Sequence, residues 1–245
     1  MVWFEMILVT LTLLTGLIWL LDRLFFAKRR AGADGLLDET KEPVVVDYAR
    51  AFFPVLAVVL MLRSFVAEPF RIPSSSMMPT LLIGDFILVN KFAYGLRLPV
   101  TNSKVIEIGE PERGDVVVFR YPGKGPDDPN TGLDYIKRVI GMPGDSVTYR
   151  DNQLTVNGQP VAYQPVGEYV GKGPGADMTG ASELREKLAG REHSVLEITH
   201  MPGIDQGEGE WNVPAGHYLV MGDNRDRSDD GRLWGYLPEG RSWCG

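Results

Sequence analysis

The sequence has very few of the residues from which disulfides, zinc sites and histidine-dependent active sites are built. Its single cysteine, Cys244, excludes an internal disulfide and a cysteine-based zinc site. Histidine occurs only at His193, His200 and His217, and this scarcity matters because most serine hydrolases use a histidine base. Lys and Arg number 25 against 32 Asp and Glu, and the net charge of -7 argues against nucleic acid as a partner.

Charged residues are also scarce in two long stretches near the N-terminus. Val2 to Leu21 carries Glu5 as its only charge, and about 20 apolar residues are enough to cross a bilayer. A second stretch, Ala51 to Ala67, is interrupted only by Arg63. The predicted organisation is a transmembrane helix over residues 1–22, a cytoplasmic loop over 23–50, a second transmembrane helix over 51–67 and an extracytoplasmic domain over 68–245.

The residues around the two stretches indicate their orientation. A basic cluster that includes Arg23, Lys28 and Arg29 follows the first stretch, and such clusters stay in the cytoplasm, so everything after Ala67 faces outward. No Lys or Arg precedes the first stretch, which favours a retained anchor over a cleaved signal peptide. Pro54 falls in the first turn of the second predicted helix, where proline is tolerated.

Short β-rich runs dominate the outer region and predict a mainly β domain. An Asn157-Gly158 pair between two of these runs is typical of a hairpin. Residues from about 152 to 209 are less regular, contain one predicted helix at Ser182–Leu188, and are expected to form an inserted subdomain. The clearest strand-like runs are Phe86–Val89, Asp115–Tyr121, Asp134–Gly141 and His217–Gly222.

Three consecutive serines, Ser74 to Ser76, stand between Pro73 and two methionines. A polar turn at the exit from the membrane is the commoner use of such a run. Neither a G-x-S-x-G nor an S-x-x-K pattern surrounds the serines. By themselves, the serines therefore leave a turn and a nucleophile both open.

Lys137 is the best candidate for the base that a serine nucleophile would need. A lysine can act as a base when burial lowers its pKa far below the reference value of about 10.4. Within the run DYIKRVIG, period-2 alternation puts Lys137 on the face opposite Ile136 and Arg138, so it can face a core. The alternative is an edge-strand lysine that protects the sheet from aggregation.

The run GDNRDRSDDGR indicates either a metal loop or a buried polar network. Asp226, Ser228 and Asp230 match the start of a calcium-binding EF-hand loop, but the twelfth position is Leu237 instead of a bidentate Glu. Calcium is therefore excluded at this loop, and a network of Arg–carboxylate pairs is expected.

Four blocks of the sequence are PSSSMMPTLLIGDFILVNKFAYG, RGDVVVFRYP, YIKRVIGMPGD and GDNRDRSDDGRLWGYLPE. Together they resemble bacterial type I signal peptidases, which are membrane proteases with a Ser/Lys dyad. The resemblance covers nearly the whole chain. It implies two N-terminal transmembrane helices followed by a β-rich signal-peptidase-type catalytic domain with an inserted subdomain. It also implies a multi-pass protein of the bacterial cytoplasmic membrane, with the catalytic domain on the periplasmic side. The implied partners are signal peptides of exported preproteins and membrane lipid, with no cofactor, metal or nucleic acid.

The resemblance assigns roles to individual residues. The family's nucleophile, the serine before methionine, falls on Ser76, and its lysine base falls on Lys137. Ser74 matches the oxyanion helper, and Ser228 matches the residue that hydrogen-bonds and orients the lysine. The supporting positions of the last block match Asp223, Arg225 and Asp230.

The resemblance also implies a substrate with small side chains one and three residues before the cleaved bond, as in Ala-x-Ala. The substrate is expected to bind extended, as an added strand beside Asp134 to Ile136. Because Ile136 and Lys137 should face opposite ways on a flat strand, Ile136 is the weakest member of the pocket set. The positions that match the family's shallow apolar pockets are Phe70, Ile72, Met77, Leu81 and Ile136.

Two departures from the family pattern leave an alternative function open. Ser75 stands where the family often has glycine, and after LPE the chain reads GRSWCG and ends. We expect this tail to be a truncation, and the alternative is an inactive member that binds signal peptides without cleaving them. Self-cleaving transcriptional repressors share the Ser–Lys chemistry, but they carry a DNA-binding module instead of two membrane spans.

Overall fold

The structure, a computed structural model, describes residues 2–27, 43–91, 93–97, 104–106, 108–198 and 207–239. The chain divides into two compact units, Met1–Glu68 with Gly95–Glu107 and Pro69–Tyr94 with Ile108–Gly245. Residues 28–42 of the predicted loop, His200 and the GRSWCG tail lie outside the described residues.

Two long apolar helices make up most of the first unit. Segments of 24 and 21 residues, Trp3–Phe26 and Val44–Ser64, are long and apolar enough to cross a membrane. Most of their large hydrophobic side chains are exposed, and a helix that is apolar all round without a protein covering is typical of a membrane span. The helices are α1 (Val2–Leu21) and α2 (Val44–Met61), each followed by a π-helical turn, at Asp22–Phe26 and Leu62–Val66.

Helix α2 begins earlier than predicted. Its first residue is Val44 instead of Ala51, so residues 44–50 are helical although the prediction placed them in the loop over 23–50. Asp47 does not prevent this start because it lies in the first turn, where a carboxylate is stabilised by the positive end of the helix dipole. Pro54 therefore lies inside the helix and not in its first turn.

The remainder of the described chain is mostly β-structure, as predicted, with one short α-helix, α3, among its later strands and a 3-10 helix at Gly173–Met178. The elements are β1 (Ala67–Arg71), β2 (Phe86–Asn90), β3 (Leu96–Arg97), β4 (Lys104–Ile106), β5 (Val116–Arg120), β6 (Asp134–Gly141), β7 (Ser146–Arg150), β8 (Gln153–Val156), β9 (Gln159–Pro160), β10 (Ala162–Glu168), β11 (Ser182–Leu188), β12 (Arg191–Glu197), β13 (Gly209–Asn212), β14 (His217–Met221), α3 (Gly231–Trp234) and β15 (Leu237–Pro238). Strands β3 and β4 pair with each other in the first unit.

Two four-stranded antiparallel sheets form the centre of the second unit. One has the order β15-β14-β6-β5 and the other β13-β7-β8-β9. Apolar side chains of both sheets meet in a buried cluster that includes Ile140, Tyr149, Leu154 and Leu219. Strand β6 is the longest strand of its sheet, and its last six residues are buried, including the charged Lys137 and Arg138.

A separate three-stranded sheet, β10-β11-β12, corrects two predictions for the inserted subdomain. Residues 153–160 belong to the sheet of β7, so the separate sheet is narrower than the predicted 152–209. Ser182–Leu188, predicted to be a helix, is the central strand β11. Its sequence SELREKL contains good helix formers, but hydrogen bonding to a strand on each side overrides that local preference.

Gly141, at the end of β6, tests how tightly the two sheets pack. A Cβ at this position would lie 2.8 Å from Val213 Cγ2 and 3.0 Å from Leu219 Cβ. We expect Gly141→Ala to lower the free energy of unfolding by about 1–3 kcal/mol through overpacking, measured by urea denaturation in detergent. Gly125→Ala is the control, because a Cβ there meets no atom within 4 Å. Equal stability of the two variants would contradict the close packing.

Candidate active site

The three serines lie on a loop that is closed at its base and anchored by the two methionines. Ile72 N donates to Asp85 O at 2.9 Å, and Gly84 N donates to Ile72 O at 2.9 Å. Met77 and Met78 are fully buried, each in a different apolar cluster. The methionines therefore hold the loop in the core, while the adjacent serines remain at the surface of a cleft.

Ser76 and Lys137 meet at this cleft. Lys137 Nζ lies 2.8 Å from Ser76 Oγ and donates to Ile136 O at 3.0 Å. The lysine side chain is supplied by β6, and only 4% of the residue is exposed. Its amine lies 5.4 Å from the centre of the Tyr135 ring. A serine hydroxyl and an amine at this distance can exchange a proton directly.

Burial lowers the pKa of Lys137 from 10.5 to about 8. Desolvation is the largest cause, because the ammonium form loses its hydration inside the protein. The carboxylates of Asp230, Asp229 and Asp223 act in the opposite direction and raise the pKa, without cancelling the effect of burial. At pH 7 roughly one lysine in ten is therefore neutral, far more than for a lysine in water.

Ser74 and Ser228 are the two further serines predicted to serve the site. Ser74 Oγ is 3.3 Å from Ser76 Oγ, and Ser74 is exposed to the cleft. Ser228 is buried, but its hydroxyl makes no hydrogen bond to Lys137. It lies against Gly222, and the role of Ser228 in orienting the lysine stays a prediction. The Lys137 amine is oriented by Ser76 Oγ and by Ile136 O.

Arg138, the neighbour of the lysine, is held by a buried ion pair. Its Nε and Nη2 donate to the two carboxylate oxygens of Asp223 at 2.8 and 2.7 Å, and Nη1 donates to Gly114 O at 2.7 Å. Thr80 Oγ1 also donates to Asp223, which ties the serine loop to the same carboxylate. Asp223 therefore connects β6, the serine loop and the segment after β14.

Arg225 and Asp230 complete this polar block. The fully buried Arg225 donates to Glu186 Oε2 at 2.6 Å. Asp230 caps α3 by accepting from Arg232 N at 3.1 Å, and it also accepts from Gly222 N at 2.9 Å. Burial by itself would raise the pKa of Asp230, but the Arg232 guanidinium and the Gly222 N–H hold it below its usual range. Asp223, Arg225 and Asp230 thus support the site from behind without reaching the cleft.

A cleft of about 330 Å³ opens beside Ser76 and Lys137. Four of the five predicted pocket residues line it, as does Asp134 of the predicted substrate-binding strand, and Ile136 and Lys137 both contribute although alternation puts them on opposite faces of β6. Leu81 does not line the cleft, although it packs against the apolar cluster of Ile72, Met77 and Ile136. The cleft is lined by Phe70, Ile72, Pro73, Ser74, Ser76, Met77, Leu133, Asp134, Tyr135, Ile136, Lys137, Arg227 and Asp229.

Sequence reasoning assigned no site role to five residues that line the cleft, which are Pro73, Leu133, Tyr135, Arg227 and Asp229. Tyr135 carried a usable signal, since it lies two residues before Lys137 on the same strand and therefore on the same face. Arg227 and Asp229 gave none, because a loop has no periodicity from which a direction can be read. Within the described ranges, no group of three His, Cys, Asp or Glu side chains is arranged to hold a metal ion.

Residues 45–242 match the family described as signal peptidase, peptidase S26. Signal peptidase I of Pseudomonas fluorescens is 49% identical over 247 residues, which cover 94% of this chain and 82% of the relative. The chain belongs to the signal peptidase family. Signal peptidase I of Pseudomonas aeruginosa is 47% identical with the same coverage, and that of Haemophilus influenzae is 36% identical over 96% of this chain and 82% of its own.

Membership of the signal peptidase family makes the chain a peptidase and a serine hydrolase. Together with the two apolar helices, it identifies a membrane-anchored protein. A solved signal peptidase I from Enterococcus faecalis is 26% identical in sequence and matches with a TM-score of 0.33. The match covers 57% of this chain and 99% of the solved chain. The family assignment therefore depends on sequence similarity and not on superposed shape.

The Arg138–Asp223 pair gives a test of the support behind this signal peptidase site. The two side chains are 7% and 1% exposed, and removing one partner of such a pair leaves a buried charge uncompensated. We expect Asp223→Asn to lower the free energy of unfolding by about 3–5 kcal/mol, measured by chemical denaturation in detergent.

The matched control for this test is Asp177→Asn. Asp177 pairs with Arg227, and these side chains are 52% and 39% exposed. Exposed pairs of this kind contribute about 1 kcal/mol or less, so the control should be close to wild type. Similar losses of unfolding free energy in the two variants would show that burial does not determine how much the Arg138–Asp223 pair stabilises the fold.

Proposed function

We propose that the chain is a membrane-bound serine endopeptidase that removes N-terminal signal peptides from exported preproteins after a small-x-small motif such as Ala-x-Ala. Ser76 is the nucleophile and neutral Lys137 is the general base. The observation that carries the proposal is the 2.8 Å contact between Lys137 Nζ and Ser76 Oγ, formed by a lysine whose amine is buried. A lysine kept on a sheet edge to prevent aggregation would have its amine in water.

The reaction begins when the neutral amine of Lys137 takes the proton from Ser76 Oγ. The oxygen attacks the carbonyl carbon of the scissile bond, and the tetrahedral intermediate collapses as the new ammonium returns a proton to the leaving amine. Water then hydrolyses the acyl-enzyme with Lys137 again acting as base, which restores the Ser76 hydroxyl. One group performs both proton transfers because its pKa of about 8 lies near the working pH.

The negative charge on the intermediate needs donors beside Ser76. We assign this role to the main-chain N–H of Ser76 and to the hydroxyl of Ser74, which is 3.3 Å from Ser76 Oγ. Each such donor contributes roughly 3 kcal/mol to stabilising the transition state. The exposure of Ser74 to the cleft leaves its hydroxyl able to turn toward the developing oxyanion.

Strand β6 provides an edge on which an extended substrate can pair. β5 pairs with β6 along Asp134 to Arg138, whereas β14 pairs with β6 only from Arg138 to Gly141. The second edge of β6 before Arg138 is therefore not covered by β14, and this part of the strand lines the cleft. A signal peptide that adds a strand there would bring its scissile carbonyl toward Ser76 and its small side chains onto Phe70, Ile72 and Ile136.

The position of the site in the chain suits a substrate that emerges from a membrane. Ser76 is the tenth residue after Val66, where the π-helical turn that follows α2 ends. We place the helices in the bacterial cytoplasmic membrane and the catalytic unit on the periplasmic side, where signal peptides present their cleavage sites. The positive-inside rule applied to Arg23, Lys28 and Arg29 supports this orientation.

The dyad is tested by cleavage of a preprotein with an Ala-x-Ala site by the detergent-solubilised protein. Ser76→Ala and Lys137→Met should each abolish product formation, and Ser74→Ala should lower kcat by about 100-fold. Lys187→Ala is the matched control, because Lys187 also lies on a strand but is exposed, and it should cleave at the wild-type rate.

Two outcomes of this experiment would reject the proposal. Full activity of Lys137→Met would remove Lys137 as the base. Wild-type protein that binds the labelled signal peptide without releasing mature protein would instead favour the signal-peptide-binding alternative.

The pH dependence of kcat/KM tests the state of the base. Because the reaction needs the neutral amine, kcat/KM should rise with pH, change about tenfold per pH unit in acid, and level off above a midpoint near pH 8. At pH 7 roughly one lysine in ten is then neutral. A midpoint at the reference lysine value of about 10.4, or a profile that falls as the pH rises, would contradict the assignment.

A further inference from the structure

Asn224 holds the main chain on both sides of the nucleophile. Its Nδ2 donates to Ser75 O at 3.1 Å, and its main-chain N donates to Ser76 O at 3.1 Å. Asn224 is completely buried, and its contact with the serines spans almost 150 positions of sequence. Asn224 lies in the run GDNRDRSDDGR, but the resemblance assigns it no role and it takes no part in proton transfer.

The side-chain hydrogen bond to Ser75 O orients the peptide unit that carries the oxyanion donor. The carbonyl of Ser75 and the N–H of Ser76 belong to one planar peptide and point in opposite directions. A donor that fixes the Ser75 carbonyl therefore fixes the direction of the Ser76 N–H. Met78 N also donates to Ser75 O at 3.1 Å, but that bond is internal to the turn and moves with it. Asn224 alone among these donors ties the peptide to the polar block.

The carbonyl of Ser76 is confined in the same way. Besides accepting from Asn224 N, it lies so close to Gly222 that a Cβ on that glycine would be 2.4 Å away. The peptides before and after Ser76 are thus both held by the segment that follows β14. Fixing both peptides fixes the backbone angles of Ser76, and these angles set the direction of its side chain toward Lys137.

The inserted three-stranded sheet holds Asn224 from behind. Leu196 N, on β12, donates to Asp223 O at 2.9 Å, and Arg225 N donates to Leu196 O at 2.9 Å, so both neighbours of Asn224 pair with this strand. The side chain of Arg225 then reaches Glu186 on β11. The inserted sheet consequently does more than pack beside the catalytic sheets.

We propose that Asn224 is a positioning residue that aims the Ser76 N–H into the oxyanion hole, an inference that rests on the proposed function of Ser76. Without the Asn224 side chain, the Ser75–Ser76 peptide can rotate within a turn that is still closed by Met78 N. The cost then falls on the transition state, where the oxyanion forms, and not on the binding of the substrate strand along β6.

The test compares Asn224→Ala and Asn224→Leu with wild type in the preprotein assay. Leucine keeps the volume of asparagine and lacks the donor, so it separates hydrogen bonding from packing. We expect both variants to lose about tenfold in kcat with KM within about twofold of wild type, less than the 100- to 1,000-fold that follows removal of an oxyanion donor itself. The midpoint of the pH profile should not move, because Asn224 does not contact Lys137.

Controls make failure of this inference distinguishable from failure of the proposed function. Asn212→Ala changes an exposed asparagine on β13 and should retain the wild-type kcat. If the wild-type protein cleaves and both Asn224 variants keep its kcat, the positioning role is overturned while the Ser76–Lys137 dyad stands. A loss in Asn224→Ala that Asn224→Leu restores would also overturn it, since that result would show packing alone. Absence of cleavage by wild type would instead reject the proposed function.

Discussion

The site depends on keeping the amine of Lys137 out of water within 2.8 Å of a serine hydroxyl. Lowering the pKa of a lysine from 10.5 to about 8 costs the fold about 3 kcal/mol at neutral pH, a sizeable part of the stability of a typical domain. The protein offsets this cost by placing the lysine on β6, which lies between two other strands and has buried apolar clusters on both faces.

Lys137 forms no ion pair with any residue that the structure describes, whereas its neighbour Arg138 pairs with Asp223, and this ion pair helps to keep the pKa of Lys137 low. Three carboxylates near Lys137 favour its charged form. Two of them form ion pairs with arginines, Asp223 with Arg138 and Asp230 with Arg232. The positive charge of each arginine offsets much of the effect that its carboxylate has on the lysine. The arginines therefore support the catalytic base indirectly, because unpaired carboxylates at the same positions would draw a proton onto it.

Features that depend on the residues of one element can be predicted from the sequence, whereas features that depend on contacts between distant segments cannot. Alternation within DYIKRVIG separates Lys137 from Ile136, and apolar length identifies α1 and α2, since both signals lie within one element. The helix expected at Ser182–Leu188 fails because the neighbouring strands β10 and β12 decide its conformation. The roles of Ser228 and Asn224 cannot be read from a local pattern either, because both depend on how the loop after β14 packs on the serine turn.

The uneven pairing of β6 explains how one strand can be rigid and still receive a substrate. From Arg138 onward β6 pairs with β14 on one edge, and on the other edge Val139 exchanges main-chain hydrogen bonds with Gly114 and Asp115, so this half cannot move without disrupting the core. Before Arg138, β14 does not cover the strand, and that half lines the cleft. Lys137 lies at the junction, so its main chain is fixed by the covered half while its amine reaches Ser76 in the open half. A strand covered along its whole length would hold the lysine equally well but would leave no edge on which a peptide could align.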